Sequence, residues 1–228
     1  MKPIEASAPS NIALIKYMGK TKGEVNLPSN ASLSFTLEHL RSFVVLEPSV
    51  TGAVEWKPLP GFAKMELTEK GRSKFLNHFG RLKTQWQIPG FYTVSSANNF
   101  PSDCGLASSA SIFAALTRAT AMLAETHHPK RKIDLAEQSR LSRQGSGSSC
   151  RSFFAPWSIW RADGGEGAHI DLNLDHAVII VEDRAKDVSS SDAHIRVTTS
   201  RLFEGRKRRA EDRLEQFTTA LQTGDWPK

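Results

Sequence analysis

Residues 98–116 read NNFPSDCGLASSASIFAAL. They place Gly105, Ser108 and Ser109 at the start of an alanine-rich helix, directly after a stretch from Phe91, FYTVSSANNF, that reads as a strand. A helix N-terminus leaves backbone N–H groups unpaired at the positive end of the helix dipole, so small and hydroxyl residues there can admit an anion. Serine is also a preferred N-cap, and taken alone the capping reading is the simpler one. Beyond Ala107 the period changes to that of a helix. Ile112, Leu116, Ala119 and Leu123 share one face, and the alanines between them allow close packing on a sheet, so the helix is expected to be buried on one side. It should end near THHPKRK, where the adjacent His127 and His128 point apart and read as a terminal polar pair rather than a metal site.

Upstream, SFTLEHL from Ser34 and SFVVLEP from Ser42 carry β-branched and aromatic residues around a short charged break, which suggests two paired strands. A helix follows from Gly71, with Phe75, Phe79 and Leu82 at helical spacing and Pro89 and Gly90 beyond its end. Downstream, the stretch from Ile133 reads as a helix with Asp134 at its start. The aromatics of SFFAPWSIW read as core, HAVIIVED from His176 as a short apolar strand, and a further helix is expected from Thr198. The strand and helix after His176 resemble the opening of a second α+β layer.

With 228 residues, 39% of them hydrophobic, the chain can form one large domain or two small ones with a real core. Part of the net charge of +6 lies in EGRKRRAEDR, Glu204 to Arg213, where interleaved acids favour a solvated helix face over a nucleic-acid arm. A positive balance also suits a phosphorylated substrate. Cys104 and Cys150 make neither a disulfide framework nor a zinc spacing and read as reduced thiols. Neither a signal-peptide core nor a segment of membrane-spanning length is present, so a soluble, cytoplasmic protein with no membrane partner is expected.

Two other stretches share the small, polar texture of the first. APSNIALIKYMGK from Ala8 combines Asn11, Lys16, Tyr17 and Lys20, and RQGSGSSCRSFF from Arg143 sets a glycine–serine turn before Arg151. Each alone reads as ordinary turn or surface. Together, N–H groups and hydroxyls can wrap phosphate oxygens, ammonium groups can neutralise a diphosphate, and a guanidinium can grip a carboxylate. That set suits phosphate transfer from a nucleotide to an acidic small molecule. Neither the Walker spacing nor the G-x-G-x-x-G turn occurs, so a different anion-binding helix start is required.

FPSDCGLASSAS resembles the phosphate-binding motif P-x-x-x-G-L-[GA]-S-S-[AG] of the GHMP kinase superfamily. Within it, APSNIALIKYMGK, NLPSNASLSFTL, NNFPSDCGLASSAS and GSGSSCRSFF together resemble the diphosphomevalonate decarboxylase family, in family order, and DVSSSDAHIRVTTSRLF is similar to that family's VSSTxGM region. The resemblance implies an α+β, two-layer sandwich. Residues 1–175 would form the ribosomal protein S5 domain 2-like N-terminal lobe that binds ATP and substrate, and residues 176–228 the start of the C-terminal lobe.

The implied activity is ATP-dependent decarboxylation of mevalonate 5-diphosphate to isopentenyl diphosphate, through transient phosphorylation of the 3-hydroxyl. Its implied cofactors are ATP and Mg2+. By resemblance, Gly105, Ala107, Ser108 and Ser109 meet the ATP phosphates, with Ser109 also at the metal, and Asn98 and Asn99 precede that loop near the nucleotide. Arg151 holds the substrate carboxylate, and Ser146 and Ser148 bond the substrate from the same loop. Asn11 belongs to the same substrate set; Tyr17 and Lys20 contact the terminal phosphate or diphosphate, with Lys16 adding charge nearby. Arg151 and Ser109 are the implied catalytic residues. The family is commonly homodimeric, though no stretch of this sequence marks an interface.

Three departures accompany the resemblance. Met18 stands where the family usually has Trp, and a diphosphate-binding arginine of the family falls near Asn77 here. Fewer cations at that end would suit mevalonate 5-phosphate as well as the diphosphate. The family's catalytic aspartate lies in a D-A-G-P-N-like segment that these 228 residues do not contain, which suggests a truncated chain. An inactive homologue that binds only nucleotide, and a nucleic-acid contact at Arg206–Arg213, stay open beside the decarboxylase reading.

Overall fold

A computed structural model describes all residues except 21–25, 63–64, 103–104, 162–163, 171, 173, 178, 180–187, 189 and 225–228. The longest strand of its six-stranded sheet organises the rest. Strand β1 (Ile4–Ile15) runs antiparallel along one side of β2 (Ser32–Pro48). On the other side of β2, β4 (Tyr92–Asn98) pairs with its second half and β5 (Trp157–Trp160) with its first, both antiparallel. The sheet is completed by β3 (Glu55–Pro58), parallel to β4, and β6 (Gly165–Gly167), antiparallel to β5.

The expected pair of strands across the charged break is therefore one strand. Pro9 sits opposite Arg41 while Ser10 sits opposite Leu37, so the residues between bulge out of the ladder. Glu38 and His39 are exposed there, and Arg41 donates to Glu38 Oε2 at 2.9 Å. Such a bulge bends a strand without reversing it. Strand β1 lacks the alternating signal of a half-buried strand because Ala8, Pro9, Ser10 and Asn11 are buried in succession.

Three helices cover one face. Helix α1 (Glu69–Gln85) is capped by Thr68, and α3 (Leu135–Gly145) by Asp134, which accepts from Glu137 N at 2.7 Å. Between them lies α2 (Ser108–His127). It is buried well beyond one face, with Ser111, Thr117 and Thr120 as well as Ile112, Leu116 and Leu123 inside, because α1 and α3 pack on it opposite the sheet. Val44, Leu46 and Val94 meet Phe75, Phe79, Leu116 and Leu123 in this core. Each fully buried Leu or Phe contributes about 1.5–3 kcal/mol. His127 Nε2 pairs with Tyr92 Oη at 2.8 Å and His128 Nε2 with the Gln87 carbonyl at 3.2 Å, so the two rings serve separate partners.

The opposite face of the β2–β5 end is covered by α5 (Arg206–Thr223), which packs Leu214 and Leu221 against Leu33, Trp157 and Ile159. The helix expected from Thr198 starts only after Gly205, whose φ of +65° breaks the run; before it come two short 3-10 turns and a seven-residue helix α4 (Ser190–Arg196) that the sequence pattern did not announce. The basic run on α5 lies on an exposed face. Lys207, Arg208, Arg209 and Arg213 are exposed, while Glu211 accepts from Ala31 N at 2.9 Å. The strand expected from His176 lies mostly outside the described residues; within it, His176, Ala177 and Ile179 are exposed and unpaired with the sheet. Cys150 is a buried free thiol, and Cys104 lies outside the described residues. Among the described residues no helix is long and apolar enough to cross a membrane.

Candidate active site

Arg151 lies on a 3-10 helix (Gly147–Phe153) between the helical layer and the sheet, only 3% exposed. Alternation along β2 points Ser32 and Ser34 to the same face, where both hydroxyls accept from this guanidinium. Nε donates to Ser34 Oγ and to Asn11 Oδ1 (3.3 Å), and Nη1 to Ser32 Oγ (2.8 Å). The cation also lies 5.9 Å from the Tyr17 ring centroid and 5.6 Å from that of Trp160. Every one of these neighbours is neutral. Among the described residues no carboxylate pairs with Arg151, and burial lowers its pKa below the usual guanidinium value. A buried ion without a counter-charge is costly, by several kcal/mol as an order of magnitude, so this position favours the entry of an anion. Burial pushes both the Tyr17 phenol and the Cys150 thiol up to about 12, so both stay neutral beside it.

The three polar stretches meet around this floor. Asn11 Nδ2 donates to Ser152 Oγ (2.8 Å) and to the Ser148 carbonyl (3.3 Å). Ser10 Oγ donates to the Leu106 carbonyl in the loop before α2. Ser146 Oγ donates to Ser109 Oγ at 3.4 Å, which joins the glycine–serine turn to the helix start. Tyr17 packs where only glycine fits opposite: a Cβ on Gly147 would lie 2.6 Å from the Tyr17 hydroxyl.

The start of α2 lacks the serine cap that its sequence offers. Its N-cap residue is Ala107, held at φ 52°, and no side chain closes the end. Ser108 is half-buried and Ser109 exposed. Gly105 has φ +90° and open space where a Cβ would project. Among the described residues no side chain caps this 20-residue helix, so N–H groups at its positive end, with two hydroxyls beside them, make a cradle open to an anion. Asn98 is a buried strut behind it, accepting from Ser42 Oγ (2.6 Å) and donating to Ser102 Oγ (2.9 Å). Asn99 is not brought to the cradle. It is exposed and bonds Arg41 N and the His39 carbonyl at the β2 bulge. Asp103 lies outside the described residues.

At the other side of the floor, Lys20 Nζ donates to Asn26 Oδ1 at 2.7 Å, and Asn26 in turn donates to the Arg143 and Gln144 carbonyls. Asn26 also lines a cavity of about 380 Å3 together with Lys70, Lys74, Asn77, Arg81 and Gly145. Burial lowers the Lys74 pKa, and Lys20 and Lys70 lower it further, so the three ammonium groups share one field. The scarcity of cations expected around Asn77 is thus not what the structure has. Lys70, Lys74 and Arg81 supply them from α1, at helical spacing that the sequence displays. Lys16 is exposed, with its carbonyl accepting from Arg206 Nη2 at 3.1 Å.

Residues 8–170 match the diphosphomevalonate decarboxylase-like N-terminal domain. The diphosphomevalonate decarboxylase of Ganoderma lucidum is 34% identical over 255 residues, covering 97% of this chain and 60% of the relative. A crystal structure of a mevalonate diphosphate decarboxylase from Legionella pneumophila is 43% identical, with a TM-score of 0.87 over 99% of this chain and 72% of that one. A second structure, 30% identical with a TM-score of 0.81 over 99% of this chain and 69% of its own, is of MDDEF in complex with MVAPP, AMPPCP and magnesium. The chain spans about 60% of the length of the curated relatives it matches first.

Proposed function

The chain belongs to the diphosphomevalonate decarboxylase family, and we propose on that premise that it binds mevalonate 5-diphosphate and ATP for decarboxylation to isopentenyl diphosphate. The observation that carries this reading is the buried Arg151 cation, held only by neutral hydroxyl, amide and aromatic groups. A carboxylate entering that space gains a desolvated ion pair in a preformed position, which is how a group destined to leave as carbon dioxide is oriented. Ser146 bonds Ser109 at the helix start, and Asn11 bonds both the guanidinium and the Ser148 carbonyl, which ties the glycine–serine turn to both ends of the proposed site.

The α2 cradle fits a nucleotide phosphate chain, with Ser108 and Ser109 as hydroxyl ligands and Ser109 the residue for Mg2+. A bound metal would supply charge neutralisation at the phosphates. The protein's own task is positioning and electrostatic stabilisation, since phosphoryl transfer leaves little covalent chemistry to side chains. The convergence of Lys20, Lys70 and Lys74 favours the diphosphate over mevalonate 5-phosphate.

Residues 1–175 are read as the ATP- and substrate-binding lobe and 176–228 as the start of a second lobe, in a cytoplasmic lyase that assembles as a homodimer. Scattering-detected size exclusion tests the assembly. The function is tested by calorimetry with each mevalonate phosphate and with ATP–Mg2+, followed by assays of ADP and carbon dioxide. Binding of both ligands with product formation supports the decarboxylase. Binding of ATP alone leaves the nucleotide-binding homologue, and binding of neither removes the reading.

A further inference from the structure

The loop from Lys16 to Lys20 is held by side chains of residues 194–206, far along the chain. His194, on α4, is 6% exposed and lies face to face with Tyr17, with ring centroids 4.4 Å apart and planes 13° from parallel. Its Nδ1 accepts the Gly19 N–H at 3.1 Å across 175 residues of chain. Phe203 closes on the same glycine. A Cβ at Gly19, where φ is +89°, would lie 2.8 Å from the Phe203 ring. Arg206 Nη2 donates to the Lys16 carbonyl at 3.1 Å. One short segment thus holds the loop at several points: Arg206 at the carbonyl of Lys16, His194 at the ring of Tyr17 and the amide of Gly19, and Phe203 against Gly19 itself.

We propose that residues 194–206 form a clasp that sets the Lys16–Lys20 loop, with His194 as the positioning residue that, through the hydrogen bond it accepts from the Gly19 N–H, orients Tyr17 and Lys20 toward the substrate's phosphate end. The proposal rests on the function proposed above only for the identity of the ligand that the loop meets. The clasp works with a neutral imidazole, because an Nδ1 that accepts from Gly19 leaves the proton on Nε2. Protonation would abolish the acceptor and add a cation among Lys16 and Lys20 of the loop and Arg206 of α5, with the neutral Tyr17 against the ring face. Burial and those three cations hold the His194 pKa down to about 4, so the clasp is closed at neutral pH.

Two substitutions separate the two contacts. His194→Phe keeps the stack on Tyr17 without the acceptor, and His194→Asn keeps an acceptor near Nδ1 without the ring. On the full chain, calorimetry with mevalonate 5-diphosphate is expected to show roughly tenfold weaker binding for His194→Phe and near wild-type binding for His194→Asn, a difference worth about one hydrogen bond. ATP–Mg2+ affinity should not change in either. Independently of any ligand, the Gly19 amide resonance of the wild-type protein should titrate together with the His194 ring in the acid range, and lose that inflection in His194→Phe. Equal affinities in wild type and His194→Phe overturn the proposal, as does equal loss in both variants. Should His194→Phe not fold, the wild-type titration decides: a Gly19 amide that ignores His194 overturns the clasp. A wild-type chain that does not bind mevalonate 5-diphosphate ends the functional reading, while the Gly19 titration still judges the clasp.

Discussion

The floor and the mouth of the site are built on opposite principles. At the floor, Arg151 is buried and its Nε and Nη1 are engaged by Ser32, Ser34 and Asn11, so its geometry is fixed before a ligand arrives. At the mouth, the α2 terminus is uncapped, Ala107 sits in a left-handed conformation and Ser109 is exposed. The floor stores an unneutralised charge in a rigid frame, whereas the mouth stores unused N–H groups in an open one. Under the proposed function, the difference means that two anions would be recognised by separate means, a carboxylate by a buried cation and a phosphate chain by backbone and hydroxyls.

The largest test falls on the floor. Arg151→Gln should weaken mevalonate 5-diphosphate binding by about thirtyfold or more, since loss of a buried charge partner costs about 2–5 kcal/mol, while calorimetric affinity for ATP–Mg2+ stays within threefold. A parallel loss of both affinities would erase the distinction between the two ends. Next comes the packing beneath the cation cavity. A Cβ on Gly145 would collide with Phe113 and lie 2.8 Å from the His78 ring, so Gly145→Ala should destabilise the fold by about 1–3 kcal/mol, read as a lower thermal midpoint.

The His78 ring extends this to pH. Burial, with Arg81 and Lys74 adding to it, lowers its pKa to about 3, and its Nε2 pairs with Thr117 Oγ1 at 3.3 Å. The folded state therefore binds that proton less readily than the unfolded chain, whose histidine titrates near 6.5. Stability from this group is fully present above about pH 6.5 and is lost progressively as the pH falls toward 3. Thermal midpoints measured across that window should fall, and His78→Gln should flatten the slope even if it lowers the midpoint at neutral pH.

At the mouth, Ser109→Ala should weaken ATP–Mg2+ binding about tenfold by calorimetry and leave mevalonate 5-diphosphate binding unchanged. The smallest effect is expected at Ala107. Replacing it by Gly removes a left-handed strain of about 1 kcal/mol at a similar cost in chain entropy, so the thermal midpoint should move little and ATP affinity by less than threefold.

What the sequence displays and what it hides follow the same division. Helices α1, α2 and α3 were legible because Phe75, Phe79 and Leu82, or Ile112, Leu116 and Leu123, repeat at helical spacing, and Asp134 marks a start. The resemblance supplied Arg151, Tyr17 and the serines, and the structure places them together. Strand β1 was hidden because its buried run includes Ser10 and Asn11, polar residues that have inward partners rather than solvent. Ser32 and Ser34 were hidden for the same reason: polar alternation in a strand reads as a wet face, and here it faces a buried cation. Lys70, Lys74 and Arg81 show the reverse, a helical spacing plain in the sequence but indistinguishable there from a solvated face.

Strand β2 has a consequence for the order of assembly. Its second half can pair with β4 once the first hundred residues are available, but its first half must wait for β5, and Arg151 reaches Ser32 across 119 residues of chain. Long loops must close before such contacts give any return, so the binding floor belongs to the slow, late-closing part of the folding reaction. A ribosome-bound chain would thus present the strand partners of α2 well before it could assemble the surroundings of Arg151.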